Sequence, residues 1–280
     1  MNKKTQEDLR RKAFEIRRDI ITTIVQNGEG HAGPALSCAD ILSVVFFYAM
    51  DRAAEPPERR DRFILSAGHK CLALYGALAE AGLMDRELLR TYNKLGTPLP
   101  GHPDAHKLNC VDFSTGSLGH GLGIACGVCK GMKMLGSSAR VYVVMGDGEQ
   151  TEGSVWEAAT FARQYGLNNL IAFVDRNGLQ VRGKTEMVMD TAPLEERYRA
   201  CGWKVITADG HDMAALCAAV DEAKQSRDLP TVIICDTIKA KGLPFAEGDY
   251  RYHHWDPTEA EKELALKYLQ ETAQREGWAT

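Results

Sequence analysis

Gly146-Asp147-Gly148 and, thirty residues after the aspartate, Asn177 are the residues of this chain best suited to hold a charged ligand. A hard divalent cation takes oxygen ligands. A carboxylate, a side-chain amide and a main-chain carbonyl meet that need, and phosphate oxygens complete the shell. Asp147 and Asn177 offer the first two, and the carbonyl of Leu179 the third. Gly146 and Gly148 leave the backbone open to close approach by phosphate, and a helix start beyond them favours negative charge. The chemistry that fits is a cation-bridged diphosphate. Taken singly, Gly-Asp-Gly is commonly a tight turn and Asn-Gly an ordinary turn dipeptide. What makes them a candidate site is that each ends an apolar run.

Those runs are the elements that must position the loops. Residues 141–145 (VYVVM) and 170–174 (LIAFV) read as buried parallel strands, with a helix over 152–163 between them. Both loops then lie at strand carboxyl ends, the edge at which open α/β sheets bind ligands. Further strands are expected at 62–65, 203–207 and 231–235. Helices are expected at 6–26, 38–50, 70–81, 85–94, 118–135, 153–165, 193–201, 211–225 and 257–275. The alternation implies an α/β fold, a doubly wound parallel sheet flanked by helices. Asp256-Pro257 offers an N-cap and a proline at the first helical position for the last helix. The stretch AAEPPERR, 53–60, is a polar loop. With no linker, low-complexity run or internal repeat, 1–280 reads as one domain, with 256–280 as a C-terminal helical extension.

Composition narrows the function classes. A net charge of −4 without a basic patch argues against nucleic acid or an anionic membrane as partner. No apolar run reaches the length of a membrane span, and the opening MNKKTQEDLRRK leads into an amphipathic helix, so a cytoplasmic location is expected. The eight cysteines are scattered, and Cys38, Cys126, Cys217 and Cys235 sit in apolar contexts. Cys126 and Cys129 form a C-x-x-C without a second pair for zinc. They read as buried small hydrophobes of a reducing compartment.

Four further segments precede the loops: Gly30-His31-Ala32-Gly33, Ser66-Ala67-Gly68-His69, Gly101-His102-Pro103 and the glycine-rich 115–121 (TGSLGHG). In this order, from about residue 7 to about residue 255, the motifs resemble the transketolase family of thiamine diphosphate enzymes. The resemblance implies thiamine diphosphate and Mg2+ (or another divalent cation such as Ca2+) as cofactors. Asp147, Asn177 and Leu179 would ligate the metal, and His69, Gly146, Gly148 and Asn177 would meet the cofactor's diphosphate end. Gly116, Ser117 and Leu118 would contact the aminopyrimidine. His31 and His102 would line the donor channel as catalytic hydrogen-bond donors. The family's last histidine falls in Tyr252-His253-His254-Trp255, with His254 as the catalytic candidate and His253 toward the cofactor. His106 and His211 match no family role, and 209–212 (DGHD) reads as a loop leading into a helix.

A complete transketolase carries two more domains, so the resemblance implies the N-terminal subunit of a split enzyme. It would move a two-carbon ketol unit from a ketose (phosphate) to an aldose (phosphate). A separate C-terminal subunit would supply the activating glutamate, in a heterotetramer of two copies each. The chain departs from the family pattern at Ser117 and His120 (commonly Pro and Gln), Ala32 (Pro) and Arg176 (an acid). Lys239 stands near the thiazolium where an apolar residue is common. These departures bear on substrate preference more than on cofactor binding. Competing readings are a 1-deoxyxylulose-phosphate synthase, a dihydroxyacetone synthase, a 2-oxo acid dehydrogenase component, a transketolase for an unusual sugar such as a sulfo-ketose, or a non-catalytic assembly partner. Three histidine loops favour ketol transfer, because a decarboxylase has less need of several donors along a polyol.

Overall fold

The computed structural model describes residues 3–56 and 59–278. Pro57 and Glu58 of the expected polar loop, and the extreme ends of the expected 1–280 unit, lie outside the described residues. Strands are β1 (Arg62–Leu65), β2 (Val141–Gly146), β3 (Leu170–Arg176), β4 (Leu179–Gln180), β5 (Gly183–Lys184), β6 (Lys204–Asp209) and β7 (Thr231–Asp236). Among the described residues the main sheet has five strands in the order β1-β2-β3-β7-β6, every pairing parallel. The helices are α1 (Lys3–Asn27), α2 (Ala32–Ser37), α3 (Ala39–Val44), α4 (Cys71–Glu80), α5 (His120–Met134), α6 (Gly153–Gln164), α7 (Thr185–Val188), α8 (Leu194–Ala200), α9 (Met213–Lys224) and α10 (Glu259–Glu276).

Strand residues alternate between two cores, as a period of two requires when both faces are covered. Phe63, Tyr142, Val144, Ile171, Phe173 and Ile233 pack with α1, α3, α4 and α9. Ile64, Val143, Met145, Ala172, Val174 and Ile234 pack with α5, α6 and α8. All eight cysteines are free thiols, six of them buried, including Cys126 and Cys129. Burial pushes the Cys126 thiol up to about 12, so it is the inert hydrophobe expected. No described helix is long and apolar enough to cross a membrane.

Three local expectations need correction, and two short elements were not expected. The helix expected from 38 begins at Ala32, breaks at Cys38 and ends in a π turn over Val45–Ala49. Pro34 is tolerated because it lies in the first turn, where no intrahelical bond needs its nitrogen. The segment expected as a helix at 85–94 is a 3₁₀ turn, Arg86–Thr91, with Asp85 accepting from Glu87 N. The last helix is capped by Thr258, not by Asp256-Pro257. Thr258 and Glu261 form a reciprocal capping box, while Asp256 faces His254 at 3.3 Å. The β4–β5 hairpin and α7 are too short for periodicity to reveal.

Candidate active site

The register of the sheet assembles the site. Gly146 of β2 lies opposite Asp175 of β3, and Arg176 of β3 opposite Asp236 of β7. The segments after these strands, together with the loop after β1, therefore open at one carboxyl edge. Asp147, 4% exposed, accepts from Gly148 N (2.8 Å) with Oδ1 and from Gly178 N (2.8 Å) and Thr185 Oγ1 (3.2 Å) with Oδ2. Asn177 Oδ1 accepts from Leu179 N at 3.1 Å, and Asn177 Nδ2 faces Ser37 Oγ at 3.4 Å. Asp147, Asn177, Leu179, Gly146, Gly148, His69 and His253 line one cleft of about 250 Å3. Leu118 joins them there, whereas Gly116 lies against the His102 ring and Ser117 is exposed.

Buried groups beneath the cleft brace it, and composition alone gave no sign of their roles. Glu149, 2% exposed, accepts from Gly119 N (2.8 Å), Gly146 N (3.1 Å) and Ser66 Oγ. It thereby ties the glycine-rich loop to the Gly-Asp-Gly loop. Burial raises its pKa, and the three donors work against that rise. Asp175, fully buried, takes Lys70 Nζ and Ser37 Oγ at 2.5 Å each, and also Thr237 Oγ1. Burial disfavours the Lys70 ammonium, but Asp175 outweighs it and the pKa rises. Lys239, 1% exposed, donates to Leu179 O (3.2 Å), Gln180 O (3.4 Å) and His253 Nδ1 (3.0 Å). Burial, with Lys70 nearby, lowers its pKa to about 8. Arg176 lines an adjoining cavity of about 570 Å3 that shares Asp147, Asn177, Leu179 and Lys239 with the cleft, and it pairs with Asp236 and Glu195 at 2.6 Å each.

Four histidines from three distant segments meet around His31. Its ring centroid lies 5.5 Å from His69, 6.5 Å from His102, 5.6 Å from His253 and 4.8 Å from His254. Two backbone bonds between Gly30 and Trp255 cause this meeting by fastening the first histidine loop to the last (3.1 and 2.8 Å). Gly68 serves a similar end. A Cβ there would stand 2.9 Å from the Thr115 backbone, so only glycine lets the His69 loop press against Gly116. Burial lowers the pKa of His31 to about 4 and of His253 to about 3, and pushes His69 down as well. These rings are neutral at neutral pH. His253 is the more enclosed of the last pair. His254 is 39% exposed and lies 3.3 Å from Asp256 and 4.0 Å from Glu29.

The residues fit a metal-bridged diphosphate. A Cβ on Gly146 would meet only the end of Lys70 at 3.6 Å, so the chain's own packing does not demand glycine there and the open side faces the cleft. Gln180 Nε2 is buried without a partner among the described residues, and Gln180 lines the same cleft. Carboxylate, amide and carbonyl oxygens stand together, the donor set of a hard cation.

Residues 10–271 match the model of the transketolase, thiamine diphosphate binding domain. The chain belongs to the transketolase family. It is therefore a thiamine diphosphate-binding α/β chain of an enzyme family. It is 39% identical over 267 residues to the 6-deoxy-6-sulfo-D-fructose transketolase subunit SqwG of Clostridium sp. (strain MSTE9), covering 95% of this chain and 97% of that one. It is 39% identical over 269 residues to an apulose-4-phosphate transketolase subunit of Actinobacillus succinogenes, again 95% and 97%. Among solved structures, the transketolase of Campylobacter jejuni superposes with a TM-score of 0.84 at 28% identity, over 99% of this chain and 43% of that one. The chain thus spans less than half of that longer transketolase and nearly the whole of the relatives named as subunits.

Proposed function

We propose that this chain is the N-terminal, diphosphate-binding subunit of a split transketolase that moves a two-carbon ketol unit from a ketose donor to an aldose acceptor. The observation that carries the reading is the gathering of four histidine rings around His31, two of which, His69 and His253, line the cleft that also holds Asp147, Asn177 and Leu179. In this reading 1–280 is one diphosphate-binding domain, with 256–280 its helical extension, working in the cytoplasm.

Asp147, Asn177 and the Leu179 carbonyl would hold Mg2+ or a similar divalent cation, and His69, His253, Gly146 and Gly148 would meet the diphosphate. The Gly116–Leu118 backbone would meet the aminopyrimidine. Bound thiamine diphosphate supplies the carbanion chemistry of the transfer. The chain binds and orients it, and the rings of His31, His102 and His254 offer N–H donors to the sugar oxygens on which charge develops. Lys239 already donates to Leu179 O, so a cation taking that carbonyl shares or displaces this contact.

The sulfo-fructose and apulose-phosphate relatives favour a modified ketose as donor, sulfonated, branched or phosphorylated. Their naming as subunits, matched over 97% of their length, favours a separate C-terminal partner, in a heterotetramer of two copies each. Such an obligate contact buries more than about 2,000 Å2. The test is ketol transfer across a panel of ketose donors, with and without the C-terminal subunit. Activity is expected only with both chains. Robust transfer by the isolated chain refutes the split-enzyme reading, and a stable but inactive complex on every donor favours the assembly-partner alternative.

A further inference from the structure

His211 matches no role in the histidine cluster, yet it is built into the same edge of the sheet from behind. It lies between β6 and α9, and its ring bridges two elements. Nε2 accepts from Ile238 N at 2.8 Å, and Nδ1 lies 2.6 Å from Asp40 Oδ2. A ring nitrogen that accepts a backbone N–H carries no proton, so the proton sits on Nδ1 and is donated to Asp40. Asp40, on α3, in turn takes both Nη atoms of Arg17, and Arg17 Nε donates to Lys241 O at 3.0 Å. Burial pushes Asp40 up, but Arg17 and His211 hold it at about 2, so the anion is present to fix the tautomer. The backbone is thus gripped at Ile238 N and at Lys241 O.

The gripped segment is the one that enters the cleft. Thr237 bonds Asp175, and Lys239 reaches Leu179 O, Gln180 O and His253. Ala240, inside the grip, has a φ of 60°, a region L side chains rarely adopt, and its N–H is held by Gly33 O at 3.0 Å. Such a conformation persists only where its surroundings fix it. His211, Asp40 and Arg17 do not line the cofactor cleft. They open on a separate cavity of about 430 Å3 beside α10.

We propose that His211 is a positioning residue: its unprotonated Nε2, oriented through Asp40 and Arg17, holds the 237–241 turn so that Lys239 stands at the diphosphate end of the cleft. The consequence for affinity rests on the cofactor assignment above; the grip on the turn does not. Two variants of the full chain separate the ring's nitrogens. H211Q places an oxygen where Nε2 accepts, and H211N keeps a donor toward Asp40 but loses that acceptor. Hydrogen exchange of the 238–241 amides, read without cofactor, should accelerate by roughly tenfold in H211N and stay near wild type in H211Q. Thiamine diphosphate affinity with Mg2+, by calorimetry, should weaken by roughly tenfold in H211N and recover in H211Q, with melting temperatures of the two variants alike. Equal exchange in H211N and wild type overturns the proposal, as does equal loss of affinity in both variants. If exchange follows the pattern but wild-type protein binds no thiamine diphosphate, the positioning of the turn stands and the cofactor assignment falls.

Discussion

Replacing Glu149 with glutamine alters one atom of a buried side chain and should weaken thiamine diphosphate binding without unfolding the protein. In the native site Oε1 accepts from Gly119 N and Ser66 Oγ, and Oε2 from Gly146 N at 3.1 Å. A glutamine keeps one oxygen and turns an NH2 toward the remaining donor. With the oxygen left at Gly119 and Ser66, the amide confronts Gly146 N–H. A hydrogen bond to a charged group, worth about 1.5–3 kcal/mol, gives way to a donor–donor contact. Gly146 can relieve it by moving into the cleft, where the diphosphate is expected. At about 1.4 kcal/mol per tenfold, the full loss corresponds to roughly ten- to hundredfold in affinity. Burial of the native charge already raises the pKa of Glu149, so neutralising it returns part of the cost and the lower end is expected. Calorimetric titration of thiamine diphosphate with Mg2+, paired with thermal melting, reads both quantities. A folded Glu149→Gln protein with wild-type affinity would refute the claim that Glu149 sets the spacing of the two loops.

Asp147→Ala should abolish Mg2+-dependent cofactor affinity, and titration that finds it unchanged sinks the metal assignment. Because Asp147 also accepts from Gly178 N and Thr185 Oγ1, its loss should lower the melting temperature, at about 1–3 kcal/mol for each buried donor left unpaired. His102→Ala should cut turnover with ketose donors by about 10²–10³ and spare cofactor affinity. The reverse pattern would make His102 a cofactor ligand. His31 and His253 have folded pKa values of about 4 and about 3, below the ordinary 6.5, so the unfolded chain binds more protons between those values. Their contribution is fully present above pH 6.5 and is lost as pH falls toward 4. Melting measured from pH 7 to 4.5 should fall less steeply in His253→Asn than in wild type, and parallel slopes would contradict the assignment.

The parts of the fold that the sequence made legible are those written locally. Residues 62–65, 141–145 and 170–174 are apolar runs with loops at their ends, and the strands observed begin and end within two residues of them. The Gly-Asp-Gly and Asn177 loops were legible as a pair because β2 and β3 are adjacent. Lys70 and Asp175 were not, since each is an ordinary charged residue until the parallel register places them together across 105 positions. Glu149 directly follows Gly-Asp-Gly, but its partners are not legible, because Gly119 lies thirty residues upstream in another turn. The start of α10 went to Thr258 because a reciprocal cap satisfies two backbone donors, where Asp256-Pro257 offers only local preference.

The charges at the carboxyl edge divide into those engaged within the chain and those facing the cleft. Asp175 is engaged by Lys70, Ser37 and Thr237, and Glu149 by Gly119, Gly146 and Ser66. The other charged or ionisable groups lining the cleft are Asp147, Glu152, the Lys239 ammonium and the rings of His69 and His253, kept neutral by burial. Two carboxylates against one lysine leave no positive excess, so a diphosphate entering this remainder brings charge that the side chains alone do not offset. A divalent ion held, as proposed, by Asp147, Asn177 and the Leu179 carbonyl would supply the missing positive charge at the point where the carboxylate would otherwise repel phosphate. Neutral histidines complete the same logic. Charged rings around His31 would repel one another and a cationic thiazolium, whereas neutral ones each keep an N–H to donate without adding charge. The burial that depresses the pKa values of His31, His69 and His253 would therefore serve the proposed cofactor chemistry as well as the packing.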